Sequence, residues 1–273
     1  MIARTALLAC LLSGSALLAS CAPMPSAVAV DQGPLRLAVA APTRTAENVA
    51  RDRYRHPVET LAFFGVRPSD TVVEIWPGGG WYSEILAPYL AQGGGTYIGA
   101  ASERGLTGLG KLVAAQPAVY SAVRTANFPI LPTASGTPVA PGSADVVLTF
   151  RNVHNWMMGK EPFEVQAFQQ MYMMLKPGGT LGVVEHRLPE NADPAREKTS
   201  GYVRVSTVRR LAEAAGFRVV AMSEINANPL DNTDYPDGVW TLPPNYRLKD
   251  KDRARYAAIG ESDRMTLRFV KPR

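Results

Sequence analysis

A carboxylate and a glycine-rich turn lie close together at residues 74–80, where the chain reads EIWPGGG. The β-branched run Thr71–Ile75 predicts a short buried strand, and a helix is expected from about Trp81 to Ala91. In open α/β sheets, ligands bind beside the carboxyl ends of the strands, where this turn falls. Glycines let a ligand approach the backbone closely, and a helix N-terminus offers unpaired N–H groups. The segment therefore predicts a ligand-binding site at the carboxyl end of this strand.

Two of the three histidines, His154 and His186, follow predicted strands at 145–150 and 181–185. Both are expected at the rim of the sheet beside the glycine turn. A histidine titrates near neutral pH and could act as a general base toward a protonated OH or NH group. Two alternatives stay open: hydrogen bonds to the backbone or a helix end, and a three-histidine metal site with His56. No HxH or HxxxH spacing supports a metal, so none is expected.

The chain alternates predicted strands and helices, which implies a mostly parallel, doubly wound α/β sheet covered on both faces. Seven strands are expected, at 71–75, 96–100, 121–126, 145–150, 181–185, 217–222 and 265–270. Residues 45–273 fit one domain. Ser206 is expected to cap a helix that ends at Ala215. The long irregular segment Asn226–Asp263 is expected to be functional or lid-like.

The first twenty residues read as a signal peptide, because Arg4 precedes the apolar run Ala6–Leu18. This run is too short to span a bilayer as a mature anchor. It ends in LASC, which resembles a bacterial lipobox; in such proteins cleavage precedes the cysteine, here Cys21, whose thiol is acylated. The alternative is an ordinary secretory signal with a coincidental cysteine. The lipid would hold the protein on the periplasmic side of the envelope, and Ala22 favours the outer membrane.

The composition is that of a folded protein, with 46% hydrophobic and 19% charged residues. Residues 21–44 are rich in Ala, Pro and Val and are expected to form a flexible tether. Lys and Arg number 29 against 24 Asp and Glu, but no long basic run indicates nucleic-acid binding. Arg51, Arg53 and Arg55 are interpreted as a solvated helix face rather than a phosphate clamp. After Cys21 no cysteine remains, so the core alone must stabilise the domain.

Together these segments resemble the class I S-adenosylmethionine (SAM) methyltransferases, over roughly Arg51 to Pro272. The strings EIWPGGGWY at 74–82, FRNVHNW at 150–156, LKPGG at 175–179 and GESDR at 260–264 carry the likeness. They also resemble a group of exported bacterial "predicted methyltransferase" proteins. The resemblance implies a Rossmann-like three-layer sandwich and methyl transfer from SAM to an acceptor that the sequence does not identify.

The resemblance also implies site residues. Glu74 would help hold the methionine amino group, and Trp76 replaces the first glycine of the family's motif. The full set expected on the cofactor side is Glu74, Trp76, Gly78, Gly79, Gly80, Tyr82, Glu103 and Arg151, and that on the acceptor side is Asn152, His154 and His186. The rings of Trp76, Trp81 and Tyr82 could stack on adenine or substrate, or could simply cover the end of the sheet.

One departure from the family concerns the second strand. Class I enzymes usually hold both ribose hydroxyls with an acid at its end, whereas the nearest acid here is Glu103. A charged hydrogen bond contributes about 1.5–3 kcal/mol, so its loss would weaken SAM binding by one or two orders of magnitude. The gap, and Ser83 at the third glycine position, count against a dinucleotide dehydrogenase. A ligand-binding lipoprotein without catalysis and a metal-dependent hydrolase remain the alternatives to a methyltransferase.

Overall fold

The protein is described here by a computed structural model that covers residues 31–130 and 136–273. The predicted signal peptide and Cys21 lie outside the described residues. The strands are β1 Thr71–Ile75, β2 Thr96–Ala100, β3 Arg124–Ala126, β4 Ala144–Phe150, β5 Leu175–Leu188, β6 Val203–Arg204, β7 Arg218–Ser223 and β8 Arg264–Val270. They form one sheet in the order β3-β2-β1-β4-β5-β8-β7, with β6 beside the end of β5. Only β8 runs antiparallel to its neighbours, β5 and β7, among these pairs. The predicted mostly parallel, seven-stranded sheet is confirmed, and β6 adds a two-residue strand.

Helices cover both faces of the sheet. They are α1 Gly33–Val39, α2 Ala46–Val49, α3 Asp52–Arg55, α4 Pro57–Phe64, α5 Ser83–Gln92, α6 Thr107–Ala115, α7 Pro117–Tyr120, α8 Val153–Met158, α9 Glu164–Met174, α10 Val205–Ala214 and α11 Arg253–Ile259. Side chains alternate along each strand, so Val73 faces the cluster that contains α9 and α10, while Val72 faces the cluster that contains α4 and α5. Burial on both faces explains why β1 reads as a nearly continuous β-branched run. None of the helices described is long and apolar enough to cross a membrane.

One local prediction is wrong, and one segment is more regular than predicted. Ser206 does not cap α10, because Arg204 holds the N-cap position and the Ser206 hydroxyl donates to Glu190 at 2.6 Å. The segment 226–263 is also more ordered than its composition suggests, since it contains the 3-10 helix Gly238–Thr241 and α11. Its apolar side chains form a small cluster with the end of β5: Leu188, Tyr202, Tyr235, Val239, Leu242 and Tyr256. This packing fixes the segment against the carboxyl edge of the sheet.

The predicted tether at 21–44 is wrong at its C-terminal end. Helix α1 lies inside that range, and it packs against α4 and α5. Leu35 on α1 is fully buried, whereas Leu37 on the same helix is 74% exposed. Pro34 gave the segment the composition of a linker, but proline at the first turn of a helix costs no hydrogen bond. The folded part therefore begins before residue 45.

Replacing Leu35 by alanine should lower the free energy of unfolding by about 2–5 kcal/mol, because a buried leucine leaves a cavity behind. Leu37→Ala is the matched control on the same helix, and it should change stability by less than about 0.5 kcal/mol. Urea unfolding followed by circular dichroism measures both. Equal stability of the two variants and the wild type would mean that α1 does not belong to the folded core.

Candidate functional site

The sheet brings the predicted chemistry to one edge. β1 pairs with β4, and β4 with β5, in parallel, with Ile75 opposite Thr149 and Phe150 opposite Val184. The residues that follow β1 and β4 therefore lie beside the last residues of β5. A cavity of about 310 Å³ opens at this edge, a size typical of small-molecule sites. The predicted residues that line it are Glu74, Trp76, Gly78, Gly79, Tyr82, Arg151, Asn152, His154 and His186.

Two predicted cofactor residues are not part of the cavity wall. Glu103 is exposed and does not line the cavity. Gly80 faces α6, because a Cβ atom there would lie 3.0 Å from Leu112 Cδ2. Its φ of 85° explains the glycine, since few L-residues adopt that conformation. Gly80 thus shapes the turn, and neither Glu103 nor Gly80 is among the residues that line the cavity.

The glycine turn leaves bare backbone at the cavity. A Cβ atom on Gly78 or Gly79 would meet no atom of the described residues within 4 Å. Trp76 holds a φ of 52°, a region in which a bulky side chain is strained by roughly 1–3 kcal/mol. Its ring packs edge-on against Trp156 at 6.1 Å between centroids, and its Nε1 donates to the Phe128 carbonyl at 3.3 Å. The indole is anchored in the core, so it does not fill the space over the glycines.

Glu74 lies beneath this turn and is 3% exposed. One oxygen, Oε2, accepts hydrogen bonds from the Tyr97 hydroxyl at 2.6 Å and the Ser83 hydroxyl at 3.1 Å. Burial raises the pKa of Glu74 to about 7, against the effect of these two donors. A cationic group bound beside it would favour the ionised carboxylate. Neither Tyr97 nor Ser83 was foreseen as its partner.

His154 is held by a carboxylate that sequence reasoning missed. Its Nδ1 lies 2.9 Å from Oε1 of Glu185, which is fully buried. A carboxylate only accepts, so Nδ1 carries the proton and the neutral ring keeps its lone pair on Nε2. Glu185 also accepts the backbone N–H of His154 at 3.2 Å and that of His186 at 2.8 Å. His154 lies in the first turn of α8, where a negative charge is favourable.

His186 lies beside His154, with 5.2 Å between ring centroids. Its Nδ1 is 2.5 Å from the Ser262 hydroxyl. Burial lowers the pKa of His186 well below its usual range, and the neighbouring His154 and Arg151 lower it further. His186 is therefore neutral at physiological pH. Its partner Ser262 is 76 residues away, so no local pattern could have revealed the pair.

One ligand atom from each of His154, Glu185 and His186 lies within 4.8 Å of the others, a spacing that could admit a metal ion. The Glu185 oxygens, however, already accept three N–H groups, as described above. The geometry is that of a hydrogen-bonded histidine–carboxylate pair with a neutral second histidine. His56, the third member of the metal alternative, does not line the cavity.

Asn152 was predicted on the acceptor side. Its amide nitrogen donates to the Ile75 carbonyl at 2.9 Å and to the Thr149 hydroxyl at 3.2 Å. These bonds join the ends of β1 and β4 directly under the cavity. The amide nitrogen of Asn152 therefore positions the site instead of facing a reacting group.

The interpretation of the arginines as a solvated face is wrong for two of them. Glu261 accepts from Arg51 Nε at 2.7 Å and Arg55 Nε at 3.0 Å, and its side chain is 4% exposed. Burial would raise the pKa of Glu261, but the surrounding arginines lower it to about 2. Arg55 also lies over the Trp81 ring, 4.7 Å from its centroid. Arg53, between them, is exposed as expected. Arg51 and Arg55 are four residues apart, a spacing that puts two side chains on one face of a helix, whereas Arg53 lies on the other face.

Trp240 and Asn245 complete the cavity from the segment 226–263, which was expected to be functional. The Trp240 ring meets His154 edge-on at 5.9 Å. Sequence reasoning did not single out either residue. Both stand in a stretch without a regular pattern, so only the packed segment shows where they lie.

Solved structures show which fold this is. A SAM-dependent methyltransferase from Aquifex aeolicus is 15% identical with a TM-score of 0.53, covering 88% of this chain and 98% of that chain. An arsenic(III) SAM methyltransferase from Chlamydomonas reinhardtii is 15% identical with a TM-score of 0.51, covering 88% and 73%. The cyclase SpnF is 14% identical with a TM-score of 0.55, covering 88% and 92%. No protein-family model and no curated protein matches the chain. The fold is therefore the Rossmann-like fold of the class I methyltransferases.

Proposed function

We propose that this protein is a SAM-dependent methyltransferase whose acceptor carries an OH or NH group. The observation that supports this most is one cavity that joins three features: the open backbone at Gly78 and Gly79, the buried Glu74, and the His154–Glu185 pair. The fold by itself does not decide activity, because one fold hosts many chemistries.

The cofactor side of the cavity fits SAM at its amino-acid end. Glu74 would accept from the methionine ammonium group, and this contact would hold the carboxyl ionised despite its raised pKa. Gly78 and Gly79 offer backbone with no side chain in the way. Bound SAM supplies a methyl group on a sulfonium sulfur, which is open to attack by a nucleophile in line with the carbon–sulfur bond.

The acceptor side of the cavity provides a base that can take a proton from the acceptor. His154 Nε2 keeps its lone pair because Glu185 fixes the proton on Nδ1. It would take the proton of the acceptor's OH or NH as that atom attacks, and the buried carboxylate would stabilise the resulting imidazolium. His186 is the weaker candidate, since its pKa is far below neutrality. Asn152 holds the strand ends that set the distance between the two sides.

The second candidate is a ligand-binding protein that keeps the architecture without transferring methyl groups. The placement of Glu103 favours it, because no acid from the end of β2 reaches the cavity wall among the described residues. The similar fold of the cyclase SpnF makes the same point about the architecture. This candidate and the methyltransferase differ in whether SAM binds.

Calorimetry of the purified mature protein with SAM tests the proposal. Saturable binding of one SAM per chain is expected. S-adenosylhomocysteine should bind at the same site and displace it. Failure to bind millimolar SAM would contradict the methyltransferase proposal and leave the ligand-binding candidate.

Gly79→Val should weaken SAM binding by about tenfold or more without unfolding the protein. The added side chain points into open cavity, so it competes with the ligand, and overfilling a site costs ~1–3 kcal/mol. Gly110→Val on α6 is the matched control, because its Cβ also meets nothing within 4 Å and it lies off the cavity wall. Calorimetry and thermal melting compare the two. Equal SAM affinities in both variants would place the cofactor elsewhere.

His186 should stay neutral across the pH range in which an ordinary histidine titrates, because burial disfavours its charged form. NMR titration of the histidine ring carbons measures this, with His186→Gln assigning the signal. Because its pKa is lowered, protonation of His186 is expected only below that window. A His186 signal that moves with a midpoint near pH 6.5, the ordinary histidine value, would contradict the buried environment.

We also propose that the protein is exported and lipid-anchored on the periplasmic side of the bacterial envelope, with the outer membrane favoured. The support is the residue pattern up to Cys21 and Ala22, which lies outside the described residues. The lipid would then hold the catalytic domain near acceptors of the envelope.

Cys21→Ala should release the protein from membranes into the soluble periplasmic fraction, since acyl chains contribute about 0.8 kcal/mol per buried CH₂. Fractionation with immunoblotting measures the distribution. Cys10→Ala is the control and should leave anchoring intact, because Cys10 falls in the predicted signal peptide. Unchanged membrane association of Cys21→Ala would show that the anchor is not at this cysteine.

A further inference from the structure

The wall of the cavity carries a surplus of positive charge. Arg51, Arg55 and Arg151 line it, and Glu74 is the one carboxyl among the described residues that line it. Behind the wall, the charges of Glu261 and Arg264 offset each other, since they form an ion pair at 3.1 Å. Three arginines and one carboxyl leave two positive charges on the wall even when Glu74 is ionised. Counting the buried Glu185 behind the histidines still leaves one.

Two of these guanidinium groups have hydrogen-bonding capacity that is not used. Arg55 and Arg51 each spend Nε on Glu261. The Nη2 atoms of both are buried and have no partner among the described residues. The Arg55 side chain is 1% exposed, so bulk water does not serve it freely. A buried charged donor without an acceptor is costly, and native proteins usually provide one.

Arg151 is the third arginine on the wall whose guanidinium has unused hydrogen-bond donors. Its φ is 62°, an unusual conformation for a side chain of this size. Its side chain is partly exposed and donates no hydrogen bond to any residue that the structure describes. Burial lowers the pKa of Arg151, and Arg264 and Arg51 act in the same direction against Glu261. A strained backbone and closely spaced positive charges both cost stability. Proteins retain such features mainly at functional sites.

We propose that the cavity binds an acceptor that bears an oxyanion, a carboxylate or a phosphate, and that Arg151, Arg55 and Arg51 hold it. This inference rests on the proposed function and names its substrate class. Arginine groups suit both anions, because their planar N–H pairs match two oxygens at once. The anion would be fixed on the arginine side while the acceptor's OH or NH faces His154, which lines the same cavity.

The cofactor's own carboxylate does not balance this charge. SAM carries a sulfonium, an ammonium and one carboxylate, so its binding adds one net positive charge to a wall that is already positive. An anionic acceptor offsets that surplus. Methyl transfer then forms the bond from the acceptor's oxygen or nitrogen to the methyl carbon and breaks the carbon–sulfur bond. The acceptor's proton passes to His154, and S-adenosylhomocysteine leaves without the sulfonium charge.

Benzoate and phenyl phosphate are suitable probes, with benzamide as the neutral counterpart of benzoate. Trp81 and Trp240 line the cavity, so ligand binding can be followed by tryptophan fluorescence. Each probe is titrated into the mature protein with and without saturating S-adenosylhomocysteine. We expect both anions to bind in either condition and benzamide to bind at least about tenfold more weakly than benzoate.

Arg151→Met should weaken benzoate and phenyl phosphate by about tenfold or more and leave the affinity for S-adenosylhomocysteine within about threefold. The Arg151 side chain makes no hydrogen bond within residues 31–130 and 136–273, so this variant should melt like the wild type. Arg53→Met is the matched control, because Arg53 lies between Arg51 and Arg55 on the chain but is exposed. It should change neither affinity.

The outcomes separate the two proposals. Equal binding of benzoate and benzamide, or of benzoate to wild type and Arg151→Met, would overturn the oxyanion site. So would loss of benzoate binding on saturation with S-adenosylhomocysteine, together with a weaker S-adenosylhomocysteine affinity in Arg151→Met, because the arginines would then hold the cofactor's carboxylate. Failure of S-adenosylhomocysteine to bind at all would contradict the proposed function, while the titrations without it would still decide the anion site.

Discussion

The parallel register of β1, β4 and β5 is the constraint on which the site depends. It brings three stretches of chain that are about 75 and 35 residues apart to one edge: Glu74 with its glycine turn, Arg151 to His154, and Glu185 with His186. Asn152 holds this edge together by bonding to the Ile75 carbonyl. A slip of one residue in the pairing of β4 with β5 would turn Glu185 away from His154, since side chains alternate across a strand.

A second constraint holds two arginines of the cavity wall in place. Glu261 joins arginines that precede β1 to the start of β8, across 206 and 210 residues of sequence. Breaking a buried ion pair is strongly destabilising. The contacts with Glu261 therefore hold Arg51 and Arg55 in position. Glu261 accepts a hydrogen bond from only one nitrogen, Nε, of each arginine. The contacts with Glu261 therefore hold both arginines at the cavity wall and leave their Nη2 groups available to donate to a ligand.

Sequence patterns predicted the parts whose cause is local. The bounds of β1 and β2 agree with the predicted 71–75 and 96–100, because β-branched runs between turns specify strands. Helix α1 was missed since its Ala, Pro and Val content is also that of a linker. Glu185 was read only as the end of a strand, and Ser262 as part of a resemblance. Their roles arise from contacts with histidines that lie 31 and 76 residues away in sequence.

The charges on the arginine side of the cavity affect the chemistry on its histidine side. Burial lowers the pKa of His186, and Arg151 and Arg55 of the cavity wall lower it further; these arginines would oppose any positive charge that forms nearby. Glu185 counters this at His154, where its buried carboxylate lies 2.9 Å from Nδ1. An oxyanion on Arg151 would reduce the opposition further, because it neutralises part of the wall when the acceptor gives up its proton. The negative group that would position the acceptor would thus also make proton transfer to His154 easier. A neutral molecule in the cavity would leave the positive charge of the arginines uncompensated.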